Sequence, residues 1–511
     1  MSNPLPLYID EATGKPGEPL SDAAMRQLAG LPDLPGADQR ANGQNHLGVD
    51  ARVSQGDLSE TGWGVLFAAD ITDEIKAQLQ PLLALRRSQI PKQKPSANPA
   101  VKLKPDLYQE FTIPAGTTAY NWIEGFKTDG LTLMAPVRPW LGVPYYLLIV
   151  GSPQSISFEF QTLLKMQWAV GRLYFDDPAD YGKYAAAVVA YETVQTLDQT
   201  RNIALWMTAN GDGATQQLST VLSGDFLYSD DGALGAGCGF DIDAFVGPGA
   251  GADVGAATKA NLAEIFRGNL KKGRPALIFT GSHGLKCTLN PNDPTFPVRQ
   301  AQRQGALVTQ DYNPASPGDP SGWVFTGDDV PSDARLDGTM IFLFACFSGG
   351  CPTGDSYNYN VEGSPVPIAT KDFISHLPQV LLSRGALAVI GHIDQAWAYS
   401  FAGLDGQSGP QQPQVIGNPL LRLLQGRQAG WAMDELTQLW TIWSAMAQEA
   451  QPPAGGGAAA APDLGGYVQP AAQAGRDPLL VVARNDARNY ILLGDPAVKL
   501  RVKELNDPGT V

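Results

Sequence analysis

A histidine and a cysteine each stand just beyond an apolar run. Ala276-Leu277-Ile278-Phe279-Thr280 leads into Gly281-Ser282-His283-Gly284, and Met340-Ile341-Phe342-Leu343-Phe344-Ala345 leads into Cys346. Runs of this kind predict short strands buried on both faces, as in a parallel sheet. In open α/β sheets, chemistry gathers beyond the carboxyl ends of the strands. If the two strands are neighbours, an imidazole and a thiol meet at one rim, as a cysteine nucleophile and its proton-transfer partner require. Cys346 would attack a carbonyl and pass through a tetrahedral oxyanion to an acyl-enzyme, provided its pKa falls below that of an ordinary thiol. His283 would protonate the leaving amine and then activate water. Gly284 lets a substrate carbonyl approach, and its N–H, with that of Cys346, can donate to the oxyanion. The bland alternatives are a buried cysteine acting as a small hydrophobe and a histidine making one structural hydrogen bond. His392 also follows an apolar run, 386–391, and is the rival base; the glycine after His283 favours His283. His376 lies in helical spacing and reads as structural.

The elements that must position this pair alternate in type. Apolar stretches at 63–69, 145–151, 202–207, 239–246, 386–391 and 490–494 read as strands. Helical spacing marks 71–90, 181–194, 211–222, 257–266, 373–382 and 415–450, the last with Trp431, Leu436, Trp440 and Trp443 on its apolar side. Such alternation predicts an α/β fold with a mainly parallel sheet. Residues 1 to about 60 are rich in Pro, Gly, Asp and Asn and read as a loose surface arm. Residues 91–105 read as an exposed linker and a cleavage point. The stretch 288–335 reads as a Pro/Asp/Gly-rich insert between the histidine and cysteine strands, and 452–474 as an Ala/Gly/Pro-rich mobile segment.

Composition narrows the classes. The chain has 511 residues, 43% hydrophobic and 17% charged, with a net charge of −15. The clustered Lys and Arg of a nucleic-acid footprint are not expected. No apolar stretch reaches the ~18 residues that a membrane span requires. Four cysteines make no disulfide framework, and the first residues lack the basic and apolar regions of a signal peptide, so a reducing, cytoplasmic setting is expected. Cys238, Cys287, Cys346 and Cys351 lack zinc-finger spacing. The loops 211–213 and 229–232 could take calcium but do not follow the EF-hand pattern, and the Gly-rich 249–255 lacks the ending of a phosphate loop. No cofactor is expected, with calcium the one ion left open.

With Ser282-His283-Gly284 and Phe344-Ala345-Cys346 in place, the chain resembles a caspase-fold (clan CD) cysteine peptidase. It is most similar to the gingipain-like family, with CHAT-type peptidases as near relatives. Three further segments carry the likeness: 144–151; Val170-Gly171-Arg172-Leu173 with Tyr184 and Tyr191-Glu192; and Leu492-Leu493-Gly494-Asp495-Pro496-Ala497. The resemblance covers about 140–503. It implies a caspase-like three-layer αβα sandwich with a smaller α/β subdomain over 121–200, a catalytic domain over 201–503, an N-terminal extension or pro-segment over 1–120, and a tail over 504–511. It implies a cysteine endopeptidase acting on protein or peptide substrates, restrained by processing or by a regulatory protein partner. An upstream acid would orient His283, with Asp225, Asp241 and Asp243 as candidates. A basic P1 side chain would meet Asp394 beside Trp397, although Trp397 as core packing and Asp394 as a helix cap fit as well. The same fold without activity, used as a binding scaffold, is the alternative; a hydrolase of small acyl compounds is a third.

Overall fold

The computed structural model describes residues 5–30, 48–90, 106–131, 135–228, 234, 236–250, 253–290, 292–315, 318–360, 362–397, 401, 413–449 and 478–508. The expected linker at 91–105 and the expected mobile segment at 452–474 lie outside them.

Eighteen strands are described. In chain order they are β1 (Tyr8–Asp10), β2 (Lys15–Pro16), β3 (Trp63–Ala68), β4 (Tyr108–Ile113), β5 (Tyr146–Val150), β6 (Ala169–Leu173), β7 (Gln199–Met207), β8 (Asp241–Val246) and β9 (Val254–Gly255). There follow β10 (Arg274–Gly281), β11 (Gly284–Lys286), β12 (Leu307–Val308), β13 (Val324–Phe325), β14 (Met340–Phe344), β15 (Gly354–Tyr359), β16 (Pro365–Pro367), β17 (Ala388–His392) and β18 (Tyr490–Gly494). Eleven of them form one mainly parallel sheet in the order β4-β3-β5-β6-β18-β17-β14-β10-β7-β8-β9. The strands β5, β10, β14, β17 and β18 are buried along their whole length, which is why their sequences are unbroken apolar runs rather than alternating ones. Helices pack in two groups: Asp73–Gln89 against Pro178–Thr193, and Gln414–Leu424 and Pro478–Arg488 against Asp434–Glu449. This is the expected α/β architecture of a parallel sheet between helices.

The sheet contains one antiparallel seam. β18 pairs antiparallel with β17 and parallel with β6, so the two halves of the sheet run in opposite directions. Strand polarity cannot be read from an apolar run, and the seam is not visible in the sequence. The boundary expected near residue 120 falls within this sheet, because β3 and β4 pair alongside β5. Asn506, in the expected tail, bridges Thr200 at the start of β7.

The insert and the N-terminal arm differ from their sequence reading. β1, β2, β11, β12 and β13 form a five-stranded second sheet in the order β13-β12-β11-β1-β2. It has its own core, in which Ile9 packs with Leu285, Cys287, Phe296, Val308, Tyr312 and Trp323. β1 is therefore an inner strand, flanked by β2 on one side and by the strands of residues 284–325 on the other.

The segments that carry the family likeness hold the sheet together. Asp495 is fully buried and accepts from Trp63 Nε1 (2.9 Å) and Arg86 Nε (2.6 Å). Arg86 also forms a two-pronged pair with Glu192. Tyr184 accepts the N–H of Asp495 and donates to the Leu387 carbonyl. Gly171 abuts Gly494 so closely that an added Cβ would lie 2.2 Å from the Gly494 oxygen.

Candidate active site

β10 and β14 are hydrogen-bonded parallel neighbours, with Gly281 opposite Phe344. His283 and Cys346 each stand two residues beyond these ends, on one rim, as the apolar runs predict. The turn after Cys346 is strained. Phe347 has φ 57°, the one non-glycine residue with positive φ among the described residues. This conformation costs about 1–3 kcal/mol. It is held by the Phe347 N–H on Asp394 O (2.8 Å) and by the Ser375 hydroxyl on the Phe347 carbonyl (2.6 Å).

The acid at His283 is Asp212, whose Oδ2 lies 2.9 Å from His283 Nε2. Asp212 caps the helix Gly213–Gln217, with Oδ1 accepting the N–H groups of Ala214 and Thr215 and Oδ2 the Thr215 hydroxyl. Burial acts to raise its pKa, but the His283 ring and these donors outweigh it and hold the carboxyl well below the usual range. A carboxylate at Nε2 places the ring proton there and leaves Nδ1 for proton transfer. Nδ1 is buried and accepts no hydrogen bond.

None of the expected acids takes this place. Asp241 and Asp243 lie at the amino end of β8, level with Asn202 and Ala204, far down the sheet from the rim. Asp243 instead accepts from Asn202 Nδ2 and the Lys272 N–H. Asp225 sits in the first turn of the helix Ser223–Tyr228. The usable signal was the strand rule itself: Asp212 follows the apolar end of β7, the other neighbour of β10. We expect Asp212→Asn to lower kcat about 10²–10⁴-fold with little change in KM, as steady-state peptide kinetics would show.

His392 is fully buried and saturated. Its Nδ1 meets the Asp394 N–H at 3.1 Å and its Nε2 lies 3.2 Å from Asp486 Oδ1. It is a structural residue. His376 begins a helix and lies 3.3 Å from Asp328.

Gly284 does lie against Cys346. A Cβ there would stand 1.9 Å from the Cys346 carbonyl oxygen and 3.0 Å from its nitrogen. Its N–H donates to a peptide carbonyl, that of Leu7, at 2.9 Å. Because backbone cannot yield cheaply, Gly284→Ala should cost at least about 2 kcal/mol and remove activity, read by thermal unfolding beside a cleavage assay.

The Cys346 thiol differs from expectation. It is fully buried, and burial pushes its pKa well above the ordinary value, the Ala396 N–H (3.1 Å from Sγ) opposing and Asp486 and Asp394 adding to the rise. Desolvation favours the neutral thiol, and Lys286 opposes it only in part.

Asp394 and Trp397 also lie inside. Asp394 is 1% exposed and accepts the N–H groups of Gln395 (2.7 Å) and Ser356 (3.3 Å). Burial, with Asp355 nearby, raises its pKa to about 6. Trp397 packs on Tyr357, ring centroids 5.0 Å apart, in a cluster with Leu20 and Leu28, and its backbone N–H donates to Asp486 Oδ1. Among the described residues no group of three or more His, Cys, Asp or Glu converges to hold a metal ion, and no helix is long and apolar enough to cross a membrane. Of the two loops considered for calcium, 211–213 has its carboxylate on His283, and 229–232 lies outside the described residues.

No family model and no curated protein matches the chain. Among solved structures it is similar to a protease at 13% identity over 90% of this chain and 80% of that one, with a TM-score of 0.46. It is similar to RgpB of Porphyromonas gingivalis, in a complex of its pro- and mature domains, at 12% identity over 86% and 80%, with a TM-score of 0.44. The Saccharomyces cerevisiae separase–securin complex follows at 10% identity over 70% of this chain and 16% of that one, with a TM-score of 0.32. Gingipain and separase are caspase-fold cysteine peptidases, the class that the sequence motifs resemble.

Proposed function

We propose that the chain is a cysteine endopeptidase with Cys346 as nucleophile, His283 as proton-transfer base and acid, and Asp212 as the residue that orients His283. The observation that carries this reading is a peptide carbonyl, that of Leu7, resting on the Gly284 N–H directly beside Cys346. The site accepts a peptide backbone where an oxyanion donor is needed. Thiolate attack on such a carbonyl breaks the peptide bond, His283 gives the leaving amine its proton, and water then releases the acyl group with His283 as base. A reducing, cytoplasmic setting keeps the thiol usable, and the four cysteines are free. On the resemblance alone P1 would be basic, anchored by Asp394. The burial of that carboxylate and its hold on loop N–H groups speak for a different side chain.

A binding scaffold without turnover is the second reading, favoured by the burial and raised pKa of Cys346. A peptide-library cleavage assay on the full chain, with Cys346→Ala as control, separates the two. Cleavage lost in the variant supports the peptidase; cleavage that persists in it, or is absent from both chains, refutes it.

A further inference from the structure

We infer that residues 5–10 form a built-in occupant of the cleft, bound as a substrate would be with Leu7 as its P1 residue, and that the cleft accordingly selects a leucine-sized apolar P1 side chain. The inference rests on the peptidase reading of Cys346 and Gly284. Leu7 is tied on both sides through its main chain. Its N–H donates to the Ala396 carbonyl (3.0 Å), and its carbonyl accepts from the Gly284 N–H (2.9 Å). The Ala396 N–H in turn reaches Cys346 Sγ at 3.1 Å, so Leu7 and the nucleophile share one residue of the rim. Pro6 runs antiparallel to Trp397, while Tyr8, Ile9 and Asp10 pair parallel with Gly284, Leu285 and Lys286. Any peptide can make such main-chain bonds, so side-chain pockets supply the selectivity.

The residue whose carbonyl rests on the oxyanion donor is by definition the one before the scissile bond, which here is Leu7–Tyr8. The Leu7 side chain is 0% exposed and belongs to the main apolar core. A cationic side chain there would be desolvated within that core. The Leu7 carbonyl bond is also the first rung of the parallel pairing of Tyr8 with Gly284. Pro6 and the Leu7 N–H extend beyond that sheet onto the loop after β17, whose Ala396 N–H reaches Cys346. Tyr8 follows, with Lys286 Nζ 4.7 Å from its ring centre.

The test uses the full chain, two peptidyl acyloxymethyl ketones that differ only in a P1 leucine or arginine, and the unreactive hexapeptide Leu-Pro-Leu-Tyr-Ile-Asp. Labelling of Cys346 is followed by intact-mass spectrometry. Leu7→Ala should raise the rate with the leucine ketone at least tenfold over wild type, and that ketone should outpace its arginine counterpart at least tenfold. Tyr8→Gly, which loosens the same segment and leaves Leu7 in place, should give the same acceleration if Leu7→Ala unfolds. Equal ketone rates, a faster arginine ketone, or rates unchanged by both variants overturn the assignment. A binding arm needs no thiol: the Cys346→Ala/Leu7→Ala chain should bind the hexapeptide at least tenfold more tightly than its central-Leu→Arg version. No such preference overturns the assignment. Preferential binding with no ketone labelling in any chain upholds the occupant and overturns the peptidase reading instead.

Discussion

Cys346→Ala abolishes peptide cleavage, lowering kcat by on the order of 10⁴-fold or more, while the chain keeps its fold. On the proposed reading the thiol is the nucleophile, and no neighbouring group replaces it in forming an acyl-enzyme. The sulfur is small and sits in a well-packed surround, so its loss should cost only about 1 kcal/mol. A thermal melt close to wild type, with activity gone, is the expected pair of readings. His283→Ala gives the same kinetic loss with a larger structural cost. It leaves a buried oxygen of Asp212 without its strongest partner, worth about 1–3 kcal/mol. The sign of the accompanying pH effect follows from Asp212. Its folded pKa is depressed, so it contributes stability above about pH 4 that is lost as the pH falls below that. The His283→Ala chain should show less of this acid sensitivity. Undiminished cleavage by Cys346→Ala would end the peptidase reading.

Asp495→Ala should destabilise the chain by about 3–5 kcal/mol, the largest stability effect expected of a single substitution here. It would leave Arg86, 1% exposed, with Glu192 as its remaining ion-pair partner among the described residues, and would strand the indole N–H of Trp63. These partners come from the helix Asp73–Gln89, β3, the helix Pro178–Thr193 and the turn after β18, so one carboxylate ties four elements of one half of the molecule. The control is Arg87→Ala. Arg87 pairs with Glu110 in solvent, the two side chains 64% and 41% exposed, and its removal should cost no more than about 1 kcal/mol. Thermal unfolding of the two variants side by side checks the contrast; equal shifts would contradict it.

The histidine and cysteine strands were legible because a strand buried on both faces must be apolar throughout, so its end is marked by the first residue able to do chemistry. The same rule reaches Asp212, but only once β7 is known to lie beside β10, and strand order is a property of the whole sheet. The neighbour relation between Leu7 and Gly284 was not legible. β1 has three residues, too few to show a period, and its partners lie in a segment whose two-residue strands look like loop. The insert read as a loop for the same reason. The motif 492–497 was visible as a likeness, yet its work is structural: it supplies β18 and the carboxylate that holds Arg86. Asp394 and Trp397 lie on the loop after β17, which reaches Cys346 through the Ala396 N–H. Their side chains turn inward because each finds buried N–H or ring partners there.

The antiparallel seam has a bearing on how the molecule is made. β18 fills the slot between β6 and β17, although every other strand of the sheet precedes it in the chain. During synthesis both half-sheets can assemble on the nascent chain, but each keeps one open edge until the last strand emerges. Such edges invite pairing with other chains. A ribosome that stalls before residue 490 would therefore release two sticky half-sheets rather than a nearly finished fold. The step that joins them also delivers Asp495 to Arg86, so closure of the sheet and locking of its core are one event.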